Sequence, residues 1–326
     1  MPQKLHVVCM PLPEPVVAPV LDRLASAHPN VDVSVAADDT AFLELASRAN
    51  AAMMMVPGPQ QVTLAPRLRW VQMISVSLEA ILTPEVVKSD VTVTVTRGPR
   101  GNAIAEHVAL FMLALARRLP GSVRDHQQRL WNLERATVEN PYVELRGKTI
   151  LVMGVGGIGS AVARICKAGF QMRVLGFSRT KRGDSNVDAY VERAALHGAL
   201  AEADFVCLGL PVTPETEGII DADAIAAMKS TAYLINVARG AIIDEVALVD
   251  ALKAGRIAGA ALDVVTEEPA PENSPFWDLP DVIITSHMSA LTDRIVGDSL
   301  DYYAENIRRF GDGQPFMGLV DKEMGY

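Results

Sequence analysis

Residues 148–159 read KTILVMGVGGIG, an apolar run that passes directly into a cluster of glycines. The apolar half has the length and composition of a buried strand, and residues 160–168 that follow have a helical pattern. A strand, a Gly-x-Gly-x-x-Gly turn and a helix in this order are typical of a doubly wound α/β sheet. Gly154 permits the tight turn, Gly156 leaves the backbone open to close approach, and Gly159 lets the helix pack on the strand. This stretch therefore predicts the fold class.

The same turn predicts a binding site for the pyrophosphate of a dinucleotide. The N-terminus of the helix would present free N–H groups and a partial positive charge to the phosphates. We expect the cofactor to lie against Gly154, Gly156, Gly157, Ile158 and Gly159.

The residues after the next predicted strand, 172–177, indicate which nicotinamide cofactor is preferred. Sites for NAD usually carry a carboxylate there, about 20 residues beyond the glycine turn, to bind the ribose hydroxyls. Here the chain continues Ser178-Arg179-Thr180, and the first carboxylate is Asp184. A hydroxyl beside a guanidinium suits a 2′-phosphate. We predict that NADP(H) is preferred and that NAD(H) is possible. The alternative is that residues 179–182, which include three cations, are simply a solvated loop.

Apolar runs alternate with helical patterns on both sides of the glycine turn, which is typical of parallel sheets with crossover helices. The predicted strands are 5–9, 31–35, 51–56, 69–73, 91–95, 148–153, 172–177, 204–208, 232–235, 258–264 and 282–285, and the longer predicted helices are 16–27, 40–49, 104–118 and 293–310. The sequence therefore predicts two doubly wound parallel-sheet α/β domains in one chain.

Composition limits the classes of function. The 326 residues carry a formal net charge of -9, which argues against a nucleic-acid partner because such partners need a basic face. The most apolar helical run, 108–116, is far shorter than a membrane span, and the first residues carry no leader pattern. The three cysteines, Cys9, Cys166 and Cys207, are scattered without metal-ligand spacing. We expect a cytoplasmic protein with buried thiols, no membrane association and no metal site.

Several further motifs together resemble one family over nearly the whole chain. They are AEH at 105–107, LPVTPET at 210–216, NVARG at 236–240, GAALDV at 259–264, EEP at 267–269 and SH at 286–287. With the glycine turn, their order is similar to that of the D-isomer-specific 2-hydroxyacid dehydrogenases, glyoxylate/hydroxypyruvate reductase-like members among them. The resemblance implies a Rossmann cofactor domain, 103–289, inserted in a flavodoxin-like substrate domain made of 1–102 and 290–326. It also implies hydride transfer between NADP(H) and a small 2-keto or 2-hydroxy acid.

The resemblance assigns three catalytic residues, Arg239, Glu268 and His287. Each follows a predicted strand, where open α/β sheets bind their ligands. An imidazole such as His287 can give a proton to a carbonyl oxygen near neutral pH, and a carboxylate on its ring would stabilise the imidazolium. Arg239 can bind the substrate carboxylate and polarise the carbonyl. The resemblance also implies cofactor contacts at Leu210, Pro211, Thr216, Val237, Ala238 and Asp263.

The chain departs from the family pattern in the turn expected to bind the substrate. Serines replace the usual glycines in residues 73–79, and we expect the backbone N–H groups of Val76 and Ser77, with Arg239, to contact the substrate carboxylate. Residues 288–290 read MSA, where the family usually has a turn that contains glycine. These departures bear on the identity of the substrate more than on the class of reaction.

Two other functions and one assembly state stay open from the sequence. The same fold serves formate and phosphite dehydrogenases, although Glu268 argues against a formate enzyme and the absence of lysine from 73–79 argues against a phosphite enzyme. It also serves dinucleotide-sensing corepressors, a binding function that the catalytic residues do not exclude. The polar segment 120–146 predicts an arm that packs on a second copy of the chain, giving a homodimer.

Overall fold

The computed structural model describes residues 4–54, 65–73, 78, 81–137, 141–179, 183–323 and 325. The chain divides into two compact units, Met1–Pro99 with Thr292–Tyr326, and Arg100–Leu291. The roles that the resemblance assigns to domains 1–102 with 290–326 and 103–289 stay predictions.

The first unit is built on a five-stranded parallel sheet. Its elements are β1 (Leu5–Cys9), α1 (Glu14–Ala25), β2 (Val31–Val35), α2 (Asp39–Ala46), β3 (Ala51–Met54), β4 (Trp70–Met73), α3 (Pro84–Lys88) and β5 (Thr92–Val95). The strand order β2-β1-β3-β4-β5 is the order of flavodoxin-like sheets. The middle strands β3 and β4 are buried at every position, as expected for a sheet covered on both faces.

A last helix, α10 (Ile295–Gly311), completes this first unit, although its sequence pattern alone left its packing open. Trp70 on β4 is fully buried, and its ring lies 5.4 Å from that of Phe310 and 4.8 Å from that of Phe316. The buried Asn306 donates from Nδ2 to Oε1 of Gln72 at 2.8 Å, so the amide that the helix brings into the core is paired.

The second unit is built on a seven-stranded parallel sheet. Its elements are α4 (Pro99–Ala116), α5 (Leu119–Gln127), β6 (Thr149–Met153), α6 (Gly157–Arg164), β7 (Arg173–Phe177), β8 (Ala189–Val191), α7 (Leu196–Glu202), β9 (Phe205–Leu208), α8 (Ala222–Ala227), β10 (Tyr233–Asn236), α9 (Glu245–Lys253), β11 (Gly259–Leu262) and β12 (Val282–Ile284). The strand order is β12-β11-β10-β9-β6-β7-β8, so the direction of winding reverses between β6 and β9. Two parallel doubly wound sheets confirm the predicted fold class.

The second unit differs from the sequence prediction at four places. The helix α4 begins at Pro99, five residues before the predicted 104, because proline is well suited to a first helical turn. A helix, α5, and a short edge strand, β8, occupy stretches where no regular element was predicted. The helix predicted at 160–168 starts at Gly157 and passes at Ile165–Gly169 into a π-helical turn. None of the helices in the described ranges is long and apolar enough to cross a membrane.

Candidate active site

The predicted site residues of the second unit lie along the carboxyl edge of its sheet. His287 follows β12, Glu268 follows β11, and Arg239 follows β10. The next strands in the sheet, β9, β6 and β7, lead to Leu210, to the glycine turn and to Ser178 in that order. Because all seven strands are parallel, all of these loops lie at the same edge of the sheet. That edge includes the point between β6 and β9 where the winding reverses.

The glycine turn has the geometry that its sequence predicts. Gly154 has a φ of +99°, and a Cβ on it would lie 2.5 Å from the backbone oxygen of Gly209. A Cβ on Gly159 would lie 2.0 Å from the backbone oxygen of Gly154, so only glycine lets α6 start this close to β6. A Cβ on Gly156, by contrast, would meet no described atom within 4 Å. This open glycine directly precedes Gly157, the first residue of α6.

These features fit the pyrophosphate of a dinucleotide. The half-buried Gly156 leaves bare backbone at the N-terminus of α6, where free N–H groups and the helix dipole favour an anion. Leu210 is buried beside this turn, and the carbonyl of Met153 accepts from the N–H of Gly209, which joins the β6 and β9 loops.

The loops that would face the adenosine end are described only in part. Ser178 is half-buried and Arg179 is exposed, whereas Thr180 lies outside the described residues. The pKa of Glu215 is lowered, first by the hydroxyl of Thr213 and also by the cations of Arg179 and Arg193. Arg179 therefore lies within electrostatic reach of the loop that follows β9.

Two other predicted contacts in the loop after β9 have structural roles of their own. Thr216 donates from its hydroxyl to the carbonyl of Pro211 at 2.6 Å and accepts from the N–H of Thr213 at 2.8 Å. These bonds close the loop on itself, and the exposed Pro211 stays on its surface. The predicted cofactor contacts of Pro211 and Thr216 stay predictions.

His287 and Glu268 form a hydrogen-bonded pair. Nδ1 of His287 lies 2.7 Å from Oε2 of Glu268, and both side chains are partly exposed, at 48% and 37%. An ionised carboxylate only accepts, so Nδ1 carries a proton and donates it to Glu268. The other ring nitrogen, Nε2, is then the atom that can exchange a proton with a ligand.

Arg239 is held by a buried asparagine on the strand that precedes it. Asn236 is fully buried at the end of β10; its Oδ1 accepts from the N–H of Ala238 at 3.0 Å and its Nδ2 donates to the carbonyl of Arg239 at 2.9 Å. Nη1 of Arg239 donates to the carbonyl of Ala238 at 2.7 Å. Val237 and Ala238 are buried, so the loop presents the half-buried guanidinium as its polar group.

The carboxylate of Asp263 is buried beneath the histidine turn. It accepts from the hydroxyl of Thr285 and from the N–H groups of Met288 and Ser289. Burial raises the pKa of Asp263, but the hydrogen bonds outweigh that effect, and the pKa is lowered overall. Asp263 is thus an anion whose oxygens bind the protein itself, and its predicted contact with the cofactor stays a prediction.

Sequence reasoning missed four polar residues of this site, and the two residues that it predicts in the substrate turn lie outside the described residues, as Thr180 does. Asn236, Thr285, Ser289 and His107 were not named as site residues, although Asn236 interrupts an apolar strand and His107 a nearly apolar helix, which is a usable signal. The predicted substrate contacts Val76 and Ser77 lie outside the described residues.

Known proteins are similar to this chain in sequence and in structure. The family model for the D-isomer specific 2-hydroxyacid dehydrogenase NAD binding domain matches residues 109–289, which is more than half of the chain. The glyoxylate reductase of Pyrococcus furiosus is 36% identical over 263 residues, covering 80% of this chain and 78% of that protein.

Two solved structures match almost the whole fold. A D-isomer specific 2-hydroxyacid dehydrogenase from Xanthobacter autotrophicus Py2, in complex with NADPH and MES, is 30% identical with a TM-score of 0.84, and the match covers 98% of this chain and 99% of that one. An NADPH-dependent glyoxylate/hydroxypyruvate reductase from Sinorhizobium meliloti, in complex with NADP and sulfate, is 27% identical with a TM-score of 0.83, covering 99% and 100%. This chain therefore belongs to the D-isomer specific 2-hydroxyacid dehydrogenase family and is a nicotinamide-dependent oxidoreductase of small 2-keto and 2-hydroxy acids.

Proposed function

We propose that this enzyme acts as a reductase of small 2-keto acids of the glyoxylate and hydroxypyruvate type, with NADPH as the preferred reductant. The observation that carries the proposal is the 2.7 Å contact between His287 Nδ1 and Glu268, on the same sheet edge as Arg239 and the glycine turn. The glyoxylate reductases among its relatives support this substrate class over formate, phosphite or a purely sensing role.

The proposed roles follow from the charges of the side chains. Arg239 binds the substrate carboxylate and polarises the neighbouring carbonyl. A nicotinamide cofactor, when bound, supplies the hydride that becomes attached to C2. His287 gives the proton on Nε2 to the carbonyl oxygen, which yields the 2-hydroxy acid, and then regains a proton from water. Glu268 stabilises the imidazolium before transfer and keeps Nε2 pointing away from itself.

The preference for NADPH rests on the loop after β7. Ser178 and Arg179 stand where an NAD site usually has a carboxylate, and a guanidinium binds a 2′-phosphate through charge-assisted hydrogen bonds. Thr180 would add a second hydroxyl. We also propose a cytoplasmic enzyme, because its three cysteines are free and buried, as is usual in a reducing compartment.

The test is a set of initial rates for oxidation of NADPH and NADH with glyoxylate, hydroxypyruvate and pyruvate. We expect turnover with NADPH that falls at least about a hundredfold in His287→Ala, the usual size of a general-acid contribution. The exposed His197→Ala on α7 is the matched control and should keep the wild-type rate. Absence of turnover with all three acids, or a fully active His287→Ala, would refute the proposal.

The same assay tests the cofactor preference. Arg179→Ala should raise the KM for NADPH about ten- to a hundredfold and leave that for NADH nearly unchanged, because only NADPH carries the 2′-phosphate. Arg256→Ala removes an exposed arginine just before β11, at the opposite edge of the sheet, and should change neither KM. Equal effects of Arg179→Ala on both cofactors would contradict the preference.

We further propose that the enzyme is a homodimer joined through residues 110–133. Exposed large apolar side chains are concentrated in this segment of the second unit: Leu110, Leu113, Leu119, Val123, Leu130, Trp131 and Leu133. Trp131 is 91% and Leu133 79% exposed in the single chain, and such side chains are typical of interface anchors.

Sedimentation equilibrium measures the assembly directly. The wild-type enzyme should have twice the 35.1 kDa mass of one chain, and Trp131→Asp should shift it towards a single chain. Val246→Asp, at a position 75% exposed on α9, introduces the same charge away from this segment and should leave the mass unchanged. A wild-type protein with the mass of one chain would rule out the homodimer.

A further inference from the structure

The turn that carries His287 adopts a conformation that an L-residue rarely takes. His287 has a φ of +52°, in the left-handed region, so the surrounding structure must hold it there. Its N–H donates to the carbonyl of Asp263 at 2.8 Å. The next two N–H groups, of Met288 and Ser289, both donate to the carboxylate of Asp263 at 3.0 Å. Asp263 is therefore the anchor of the turn.

Asp263 is itself tied to α4 through a short chain of hydrogen bonds. The hydroxyl of Thr285 lies 2.5 Å from its Oδ1, and Nε2 of His107 lies 3.1 Å from the same hydroxyl oxygen. Nε2 of His107 is 3.8 Å from Oδ1 of Asp263, too far for a direct hydrogen bond. The side chain of His107 is only 15% exposed, and its ring meets that of Phe111 edge-on at 4.4 Å.

The number of protons that each group carries fixes which atom donates and which accepts in these bonds. The ionised carboxylate of Asp263 only accepts, so the single hydroxyl proton of Thr285 points to it. The oxygen of Thr285 can then only accept from His107, which must carry a proton on Nε2. Burial lowers the pKa of His107 against the opposing attraction of Asp263, so the ring is neutral and Nδ1 bears no proton.

We propose that His107 is a positioning residue for His287, acting through Thr285 and Asp263. The N–H of His107 orients the hydroxyl of Thr285 towards Asp263, and Asp263 in turn holds the left-handed turn with His287 against Glu268. The proposal rests on the proposed role of His287 as the proton donor. It gives the histidine of α4 a function in catalysis although it touches neither His287 nor Glu268 in any described contact.

Two substitutions of His107 separate positioning from packing. His107→Phe keeps a ring of similar size beside Phe111 but has no N–H, whereas His107→Gln keeps an N–H donor at a similar reach. We expect kcat for glyoxylate to fall about tenfold in His107→Phe with little change in KM, and to recover most of that loss in His107→Gln. Wild-type kcat in His107→Phe, or no recovery in His107→Gln, would overturn the proposal.

A double-mutant cycle asks whether His107 and Thr285 act as one unit. Thr285→Val removes the hydroxyl in the middle of the chain, so the double variant His107→Phe/Thr285→Val should be no slower than the slower single variant. Fully multiplicative losses would mean that the two side chains act independently and would overturn the proposal.

A measurement on the wild-type enzyme that does not depend on activity tests the hydrogen-bond chain directly. It decides the question even if the variants fail to fold or the proposed reaction is wrong. Among the six histidines of the ¹⁵N-labelled wild-type enzyme, the ring assigned to His107 should give the pattern of a neutral Nε2–H tautomer. A ring protonated only on Nδ1 would refute the hydrogen-bond chain. If His287→Ala stays active while this tautomer is observed, the reaction mechanism is wrong and the hydrogen-bond chain is not.

Discussion

At the scale of single residues, the site depends on buried polar groups that hold exposed ones. Asn236 and Asp263 are buried at the ends of β10 and β11, and their bonds fix the loops that carry Arg239 and His287. A buried polar group is costly unless it is paired, and each of these two is paired with the backbone of the loop that it holds. The proposed catalytic side chains themselves stay partly exposed and accessible to a ligand.

This division explains what could be predicted at the residue scale. Arg239, Glu268 and His287 were recognised because short motifs around them resemble a family. The coupling of His107 to Thr285 was not, because 178 positions separate them in sequence and only the packing of α4 beside β12 brings them together. The residue types at strand ends can be recognised in a sequence, whereas hydrogen bonds between elements that are distant in sequence cannot.

Removal of the charge on Glu268 should slow the reaction without unfolding the enzyme. Glu268→Gln replaces a charge-assisted hydrogen bond to Nδ1 of His287 with a neutral one, which stabilises the imidazolium less. We expect kcat for glyoxylate to fall about ten- to a hundredfold, with an unchanged unfolding midpoint. Glu267→Gln is the matched control, since Glu267 is an exposed neighbour of the same type. Equal rates for the two variants would contradict the role of Glu268.

At the scale of elements, the glycine turn shows why the fold could be predicted. The clash of a Cβ at Gly159 is with the carbonyl of Gly154, only five residues away, and Gly154 itself needs glycine for its φ of +99°, so both requirements are local and visible in the sequence. The edge strand β8 is the contrasting case: it has three residues, none fully buried, and so lacks an apolar run to reveal it. The helix α5 lies in a polar stretch and was missed for the same reason.

Two glycines of this turn should respond differently to alanine. Gly159→Ala would place a Cβ 2.0 Å from a backbone oxygen and should destabilise the second unit by about 1–3 kcal/mol, as overpacking does. Gly156→Ala has open space and a φ of -99°, so stability should be unchanged while affinity for NADPH falls at least about tenfold.

Urea denaturation and NADPH fluorescence titration check the two effects. The control is Gly198→Ala on α7, where open space and a helical interior predict a gain of about 0.5–1 kcal/mol and normal NADPH affinity. Normal NADPH affinity in Gly156→Ala would mean that this glycine does not face the phosphates.

At the scale of the whole molecule, each unit has a core of its own. The first unit buries Trp70, Phe42 and Leu24 around its five-stranded sheet, and the second buries Phe111 and Phe205 around its seven-stranded sheet. Units with separate cores can unfold in separate steps, so a single free energy of unfolding need not describe the chain. One cysteine lies in the first unit and two lie in the second, so their reactivity can show whether the units unfold separately.

The thiols should therefore be unreactive in the native enzyme, and each should become reactive when the unit that contains it unfolds. Burial raises the pKa of Cys9 and of Cys166 to about 12 and raises that of Cys207 as well. Only the thiolate reacts, so a raised pKa leaves almost none of it at pH 8, and burial blocks access besides. In rising urea we expect a disulfide reagent to react in two steps, one thiol belonging to the first unit and two to the second. Cys9→Ser should abolish the single-thiol step alone, and reaction of all three thiols at one urea concentration would show that the units unfold together.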